Sequence, residues 1–327
     1  MDRRIRVAHF GIAHDHSCDT INCARQHPDV FEIVGVCEPD ENMREEFGKA
    51  DAYKDVNWIS EEELLSRNDI DAVFCEGHEL RSVSDAQKCI DRALPVHLDK
   101  PGGTDIKAFE RLIRSAEEKQ LTLQMGYMYR YNPALKYAVN AVKNGDLGTI
   151  TGIDASFSTS HSAPKRRWLK QFPGGTMFFL GCHSIDMIML AMGEPLSVHP
   201  FNHSSGDDND GSMDSCFAVL EYPAGAACVR ANSTEVRGFH RRHFKVTGTK
   251  GTIEICPLET PTVVKRIASA GEGVVFPGYF AGRYDDMMLE FAACVRGEMK
   301  NPYTGDYEIQ LQKAVLRASG IKLEGDL

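Results

Sequence analysis

His97-Leu98-Asp99-Lys100-Pro101-Gly102-Gly103 is the stretch around which the chain is organised. It follows the apolar run Ala93-Leu94-Pro95-Val96, short enough for a buried strand, and precedes a helical pattern opening at Thr104. A Lys beside a Pro and two Gly at a strand exit sits where open α/β sheets place ligands. The Gly pair admits a close approach of backbone or ligand, and the Pro removes a donor and fixes φ. Asp99 and Lys100, neighbours on an extended segment, point to opposite faces rather than to each other. Taken alone, the stretch reads equally well as a strand-end turn with a solvated Lys. The pattern on either side decides.

Upstream, strands are expected over 5–10, 31–37, near Ala52-Tyr53 and over 71–75, with helices through Cys23-Ala24-Arg25, over 41–48, from Glu61 and over 83–92. The strand ending at Lys100, a helix over 105–118 and a strand over 121–125 continue the alternation. Strict alternation demands a parallel sheet with right-handed crossovers and helices on both faces, so residues 1–125 read as a doubly wound α/β domain of the Rossmann type. After Gly126-Tyr127-Met128-Tyr129-Arg130-Tyr131-Asn132-Pro133 and a helix over 134–143, strands follow at 149–158, 216–222, 226–234, 242–247, 252–256 and 262–267. Turns at Pro223-Ala224-Gly225 and Gly248-Thr249-Lys250-Gly251 join them into hairpins. Residues 126–327 thus read as an α+β domain with a mainly antiparallel, open-faced sheet, closed by helices over 284–296 and 307–319. Helices should cover one sheet face and leave the other free for a partner subunit, and by analogy the expected assembly is a homodimer or homotetramer.

The length of 327 residues leaves room for two cores, and 42% hydrophobic with 26% charged residues is ordinary for a soluble protein. A net charge of −10 argues against nucleic acid, since no basic surplus exists to neutralise phosphates. No apolar run approaches the roughly 18 residues of a membrane span, and the early strand pattern leaves no room for a cleaved secretory signal. The ten Cys are scattered singly without a CxxC pair, which suits a reducing cytoplasm. An acidic surface loop is expected over 204–211, and no repeat or heptad run is present.

The turn after the first strand would hold a dinucleotide if it carried G-x-G-x-x-G and an acid about 20 residues on. Gly11 is present, but Ala13 and His16 stand at the second and third glycine positions, with Ile12 and His14 between them. Glu38 ends the second strand, where a carboxylate accepts both adenosine ribose hydroxyls and repels a 2′-phosphate, favouring NAD over NADP. His14-Asp15-His16 also matches the way some metal-dependent hydrolases begin a zinc site. Those enzymes need a full barrel of strands, and this chain stops alternating after Met125, so no metal is expected. Farther on, Gly174-Gly175 leads into an apolar helix over 185–192 with His183 and Asp186 near its first turn. A helix N-terminus disfavours an imidazolium, so His183 would be neutral, as a general base requires, and Asp186 would compensate the dipole. The plain alternative is a packed capping His.

Five segments in order resemble the Gfo/Idh/MocA family of sugar and inositol oxidoreductases, over nearly the whole chain. They are the Gly11 turn with Glu38; Asp99-Lys100-Pro101 for Glu-Lys-Pro; and Tyr129-Arg130-Tyr131-Asn132-Pro133 for Arg-Arg-Phe-Asn-Pro. The block from Gly174-Gly175 to His183-Ser184-Ile185-Asp186 and the hairpin Gly248-Thr249-Lys250-Gly251-Thr252-Ile253-Glu254 complete the set. The resemblance implies a nicotinamide-dependent dehydrogenase acting on a small sugar, inositol or related polyol. Lys100 would hold and polarise the reacting hydroxyl and His183 would complete the catalytic pair. Gly11, Ile12, Ala13, His14, His16, Glu38, Glu76, Gly77, His78, Asp99, Lys100, Pro101 and Arg130 would surround NAD, and Tyr129, Arg167 and Trp168 would meet substrate with Lys100 and His183. Three departures stand out. Phe179 replaces the family's Asp four residues before His183, two turn glycines are missing, and Cys75-Glu76-Gly77-His78-Glu79 adds two carboxylates near the nicotinamide end. Two rival readings share the fold: NAD retained as an internal redox catalyst, as in family glycosidases and aldose–aldose enzymes, or a non-catalytic ligand-binding protein.

Overall fold

The structure, a computed structural model, describes residues 3–207, 211–260, 262–279 and 282–326. The chain opens with β1 (Ile5–Phe10), α1 (Ser17–Gln26), β2 (Phe31–Cys37), α2 (Glu41–Phe47), α3 (Glu61–Ser66) and β3 (Ala72–Cys75). It continues with α4 (Ser82–Asp91), β4 (Val96–Leu98), α5 (Ile106–Glu118) and β5 (Leu123–Met125). The five strands form one parallel sheet in the order β2-β1-β3-β4-β5. Every residue of β3, β4 and β5 is buried, as strands covered on both faces require. In α5 the buried positions Phe109, Leu112, Ile113 and Ala116 recur at helical spacing. The expected strand at Ala52-Tyr53 is instead a 3-10 turn over Asp51–Tyr53. Tyr53 and Ala52 pack there with Ile12, Ile21 and Val36, so the pair earns burial without joining the sheet, and Lys100 follows the fourth strand rather than a fifth.

The second sheet has eight strands: β6 (Ile150–Ser156), β7 (Ser197–His203), β8 (Ser215–Tyr222), β9 (Gly225–Asn232), β10 (His243–Gly248), β11 (Gly251–Ile255), β12 (Val264–Ala268) and β13 (Gly271–Val275). Their order is β13-β12-β11-β10-β6-β9-β8-β7, all antiparallel except β6 beside β9. One face buries Ala218, Leu220, Val229, Phe244, Val246 and Ile253, whereas Phe217, Cys228, Arg230, Lys245 and Glu254 alternate onto the more open face. The edge strands β7 and β13 escaped the sequence reading. β7 carries Pro200 amid exposed residues, and β13 carries two Gly and no buried position, so neither shows the period-2 signal. The helices of this region are α6 (Pro133–Lys143), α7 (Ala163–Leu169) and α8 (Cys182–Met192). Of the expected acidic loop, Asp208, Asn209 and Asp210 lie outside the described residues.

The chain ends with α9 (Asp285–Val295) and α10 (Gly305–Ala318). Two compact units result: Met1–Met128 with Tyr284–Ile309, and Tyr129–Arg283 with Gln310–Leu327. This differs from a single division after residue 125, because α9 sets Phe291 against Phe74 and His97 at 6.0 and 5.8 Å, making it part of the first unit's core. Among the described residues no helix is long and apolar enough to cross a membrane.

Candidate active site

In the first sheet, β1 has β2 on one side and β3 on the other, so the crossovers leave in opposite directions and a crevice opens at the carboxyl ends of β1 and β3. The loops that leave the ends of β1, β2, β3 and β4 carry every expected cofactor residue except Arg130. Gly11 has φ +80°, and a Cβ on it would lie 2.2 Å from Gly77 Cα, so the turns after β1 and β3 approach at bare backbone. The His14 amide donates to the Glu76 carbonyl at 3.0 Å and fixes that approach. Asp40, Ser60 and Asp105 accept hydrogen bonds from first-turn amides of α2, α3 and α5. Among the described residues no side chain caps α1 or α4, the two helices that start at the crevice. The Ser17 and Ser82 amides already donate to the His14 and His78 carbonyls at 3.0 Å each, so it is chiefly the helix dipoles that an anion would meet.

Glu38 is buried beneath the first turn. One carboxylate oxygen accepts from the Ile12 amide at 2.9 Å; the other accepts from Arg81 Nη2 at 2.8 Å and the Asp40 amide at 3.0 Å. Arg81 also donates to Asp85 at 2.9 Å through Nε. Arg81 escaped the sequence reading, and no local signal reveals it: its partner Glu38 lies 43 residues back along the chain.

Deeper in the crevice is a knot of ionisable groups. His14 sends Nε2 to the Lys100 carbonyl at 3.0 Å and Nδ1 towards Asp99 Oδ2 at 3.2 Å. His16 Nδ1 reaches the same oxygen at 3.0 Å. Asp99 also accepts from the Lys100 amide at 2.6 Å, and a Cβ on Gly126 would fall 2.7 Å from Asp99 Oδ1, which explains a glycine there. Glu76 approaches His14 at 3.8 Å and His97 at 3.6 Å, and Glu79 approaches His14 at 3.6 Å. The other ring nitrogen of His97 is 2.8 Å from Gln124 Oε1, whose amide donates to the Met287 carbonyl at 3.1 Å. The Lys100 side chain is fully buried beside them, Pro101 follows it through a cis peptide, and His78 accepts from the Leu80 amide at 3.2 Å at the rim.

Burial, then the charge of Asp99, pushes the Glu76 carboxyl well above its ordinary range. Asp99 is held well below its own: burial opposes this, but His14 and His16 outweigh it. For His14 burial is overcome by Asp99 and Glu79 and the pKa rises, whereas for His16 burial wins and pushes it down to about 3.

The remaining expected residues belong to the second unit. Arg130 grips Asp186, with Nε at 3.0 and 3.1 Å from the two oxygens and Nη2 at 2.9 Å. Asp186 is therefore an arginine's counter-ion rather than a dipole compensator. His183 does not stand at a helix start either: a π-helical stretch over Met177–Gly181 runs directly into α8, so His183 lies inside a continuous helix and the dipole argument for its neutrality lapses. Its ring packs on Phe157 and Tyr129 at 4.8 and 5.2 Å. The Tyr129 hydroxyl is bound by Glu259, Arg283 and, at 3.1 Å, Arg242, and burial leads in pushing its pKa up to about 12. Arg167 is exposed on α7. Trp168 packs edge-on to Phe172 and Phe179 at 4.9 and 5.5 Å, with the Lys165 ammonium 3.7 Å from its ring centre.

Two family models match the chain. The oxidoreductase family with an NAD-binding Rossmann fold covers residues 6–127, and the GFO/IDH/MocA C-terminal domain covers residues 135–254, together well over half of the chain. The chain belongs to the Gfo/Idh/MocA oxidoreductases. Myo-inositol 2-dehydrogenase of Thermotoga maritima is 27% identical over 254 residues, 76% of this chain and 73% of that protein. D-xylose 1-dehydrogenase (NADP(+)) 2 of Haloferax volcanii is 25% identical over 221 residues, 66% of each chain. An oxidoreductase from Desulfitobacterium hafniense has the same fold, with a TM-score of 0.85 at 18% identity over 98% of this chain and 96% of that one. This member of the family is an oxidoreductase whose first unit is a nicotinamide-dinucleotide Rossmann domain. Within that fold it sets Asp99-Lys100-Pro101 at the end of β4 and buries Phe179 among aromatic rings.

Proposed function

We propose that this oxidoreductase is an NAD-dependent dehydrogenase acting on a CH–OH group of a small sugar, inositol or related polyol. The observation that carries the reading is the crevice at the carboxyl ends of β1 and β3, where α1 and α4 start uncapped, Glu38 lies anchored and Lys100 is buried. The residues present fit a dinucleotide. Turn and helix amides would take the pyrophosphate, Glu38 the adenosine ribose, and the Gly77–His78 and Asp99–Pro101 loops the nicotinamide end. The bound cofactor supplies the hydride acceptor. Lys100 would hold the substrate hydroxyl by charge and hydrogen bond. Glu38 argues for NAD because its charge opposes a 2′-phosphate, although Arg81 offsets part of that charge.

The test is Lys100→Met. Turnover with NAD and a panel of inositols and aldoses should fall by at least about 10³-fold, while the Kd for NAD stays within about threefold. Unchanged turnover removes Lys100 from the chemistry. Absence of any NAD or NADP binding removes the dehydrogenase reading. We also infer a homodimer or homotetramer formed through the open face of the second sheet, testable by light scattering, and a cytoplasmic location, which the ten free cysteines suit.

A further inference from the structure

Three buried acids share the crevice of the first unit with the buried Lys100. The side chains of Glu76, Glu79 and Asp99 are 0%, 1% and 3% exposed. Among the described residues the four oxygens of Glu76 and Glu79 make no hydrogen bond, though both carboxylates lean towards the His14 ring. A buried carboxylate without donors is neutralised either by a proton or by a positive charge nearby.

The His14 ring shows where such a charge belongs. A carbonyl only accepts, so Nε2, 3.0 Å from the Lys100 oxygen, carries the hydrogen. Nδ1 of the neutral ring is then a lone pair. It accepts from the His16 amide at 3.1 Å, yet it also faces Asp99 Oδ2 at 3.2 Å and Glu76 Oε2 at 3.8 Å. A lone pair turned on carboxylate oxygens is repulsive until a proton or a metal ion sits between them. His16 Nδ1 turns to the same Asp99 oxygen at 3.0 Å. The three donor atoms all lie within 4.8 Å of one another. Their two nitrogen–oxygen spacings approach the edge of about 3.3 Å that a tetrahedron with bonds of about 2.0–2.1 Å possesses. A ring whose far N–H is fixed on a backbone carbonyl is also how metal-bound histidines are held. His16 keeps 15% of its side chain exposed, which leaves an entry route.

We propose that His14, His16 and Asp99 bind one divalent first-row transition ion, with the Glu76 carboxylate as neighbouring donor, tying the turn after β1 to the end of β4. Two imidazoles and a carboxylate form a set suited to Zn²⁺ or Mn²⁺. The site uses residues of the first unit alone and does not rest on the dehydrogenase reading.

Full-length protein freed of metal by chelation is titrated separately with ZnCl₂ and MnCl₂, without dinucleotide, by calorimetry and bound-metal analysis. One equivalent should bind and raise the melting temperature. His16→Ala and Asp99→Asn should weaken binding at least about tenfold. Cys23→Ser should leave it intact, since Cys23, His27 and Asp285 form a separate cluster of possible ligands. Wild-type protein titrated with Co²⁺ should develop visible ligand-field bands, a readout independent of whether the variants fold. Absence of binding below millimolar metal together with no cobalt bands, equal affinity in His16→Ala and Asp99→Asn, or loss of the ion in Cys23→Ser overturns the proposal. Dinucleotide binding measured apart from this would survive that outcome.

Discussion

Asp186→Asn is the perturbation that best separates a structural Arg130 from one that serves the cofactor. Both side chains are 1% exposed, and three N–O contacts of 2.9–3.1 Å join them. At such spacing and an effective dielectric near 20, the Coulomb attraction is about 5 kcal/mol. Removing one partner of a buried pair strands the other charge and costs about 3–5 kcal/mol; Asn keeps an acceptor, so we expect about 3 kcal/mol. The chain has two Trp, Trp58 in the first unit and Trp168 in the second. Trp168 fluorescence in a Trp58→Phe background therefore reports on the unit that holds the pair. With a urea m-value of about 1–3 kcal/mol/M, the midpoint should fall by roughly 1–3 M. The double variant Arg130→Met/Asp186→Leu removes both charges and should return to within about 1–2 kcal/mol of the parent, with unchanged affinity for NAD. A single variant less than about 1 kcal/mol below the parent refutes the energetic argument. A stable double variant that has lost NAD affinity would restore Arg130 to the cofactor.

Glu38→Gln removes the charge that opposes a 2′-phosphate and leaves Arg81 beside the site. The NADP-to-NAD affinity ratio should rise about 10–30-fold by calorimetry, equivalent to about 1–2 kcal/mol, and a constant ratio would contradict the role given to Glu38. Burial and the charge of Asp99 raise the native Glu76 carboxyl well above its ordinary value of about 4.3. Between those two pKa values the native protein keeps a proton that the unfolded chain has released, so stability falls as pH rises through the window. Melts in EDTA from about pH 5 to about pH 8 should show Glu76→Gln gaining on the parent as pH rises. A pH-independent gap between the two would remove the buried carboxyl from the explanation.

The parallel sheet was legible because each strand was an apolar run next to an amphipathic helix, and because Asp99-Lys100-Pro101 ended one of them. Failures came where local and distant packing disagree. Ala52 and Tyr53 looked like a strand since both are buried, but Tyr53 fills a cluster beneath α1. Gly174, Gly175 and Gly181 read as a loop that delayed the helix to 185. The helix nevertheless runs through Gly181, whose added Cβ would meet Met177 Sδ at 2.4 Å, so this glycine serves packing. The charge partners were invisible for another reason. Arg130 and Asp186 are 56 residues apart, as are His14 and Lys100 at 86, and no period or spacing in the sequence links them.

Charge pairing sorts structural acids from chemical ones. In the second unit Asp186 is neutralised by Arg130, Glu259 by Arg242 at 2.8 Å, and Asp214 takes two hydrogen bonds from Ser205 with Arg166 at 3.6 Å. In the first unit Arg81 likewise settles Glu38 and Asp85. Each of these acids has a strong donor, and an acid so held is poorly placed to exchange a proton. Glu76 and Glu79 have no hydrogen-bond donor among the described residues, and Asp99 is held by rings whose protonation is itself variable. Buried acids left in that condition are costly as anions, so they hold a proton or take up a cation. They lie where the ends of β1, β3 and β4 meet, beside Lys100. Both the reading of Lys100 as the substrate-holding group and the ion proposed at His14, His16 and Asp99 follow from that one unbalanced corner.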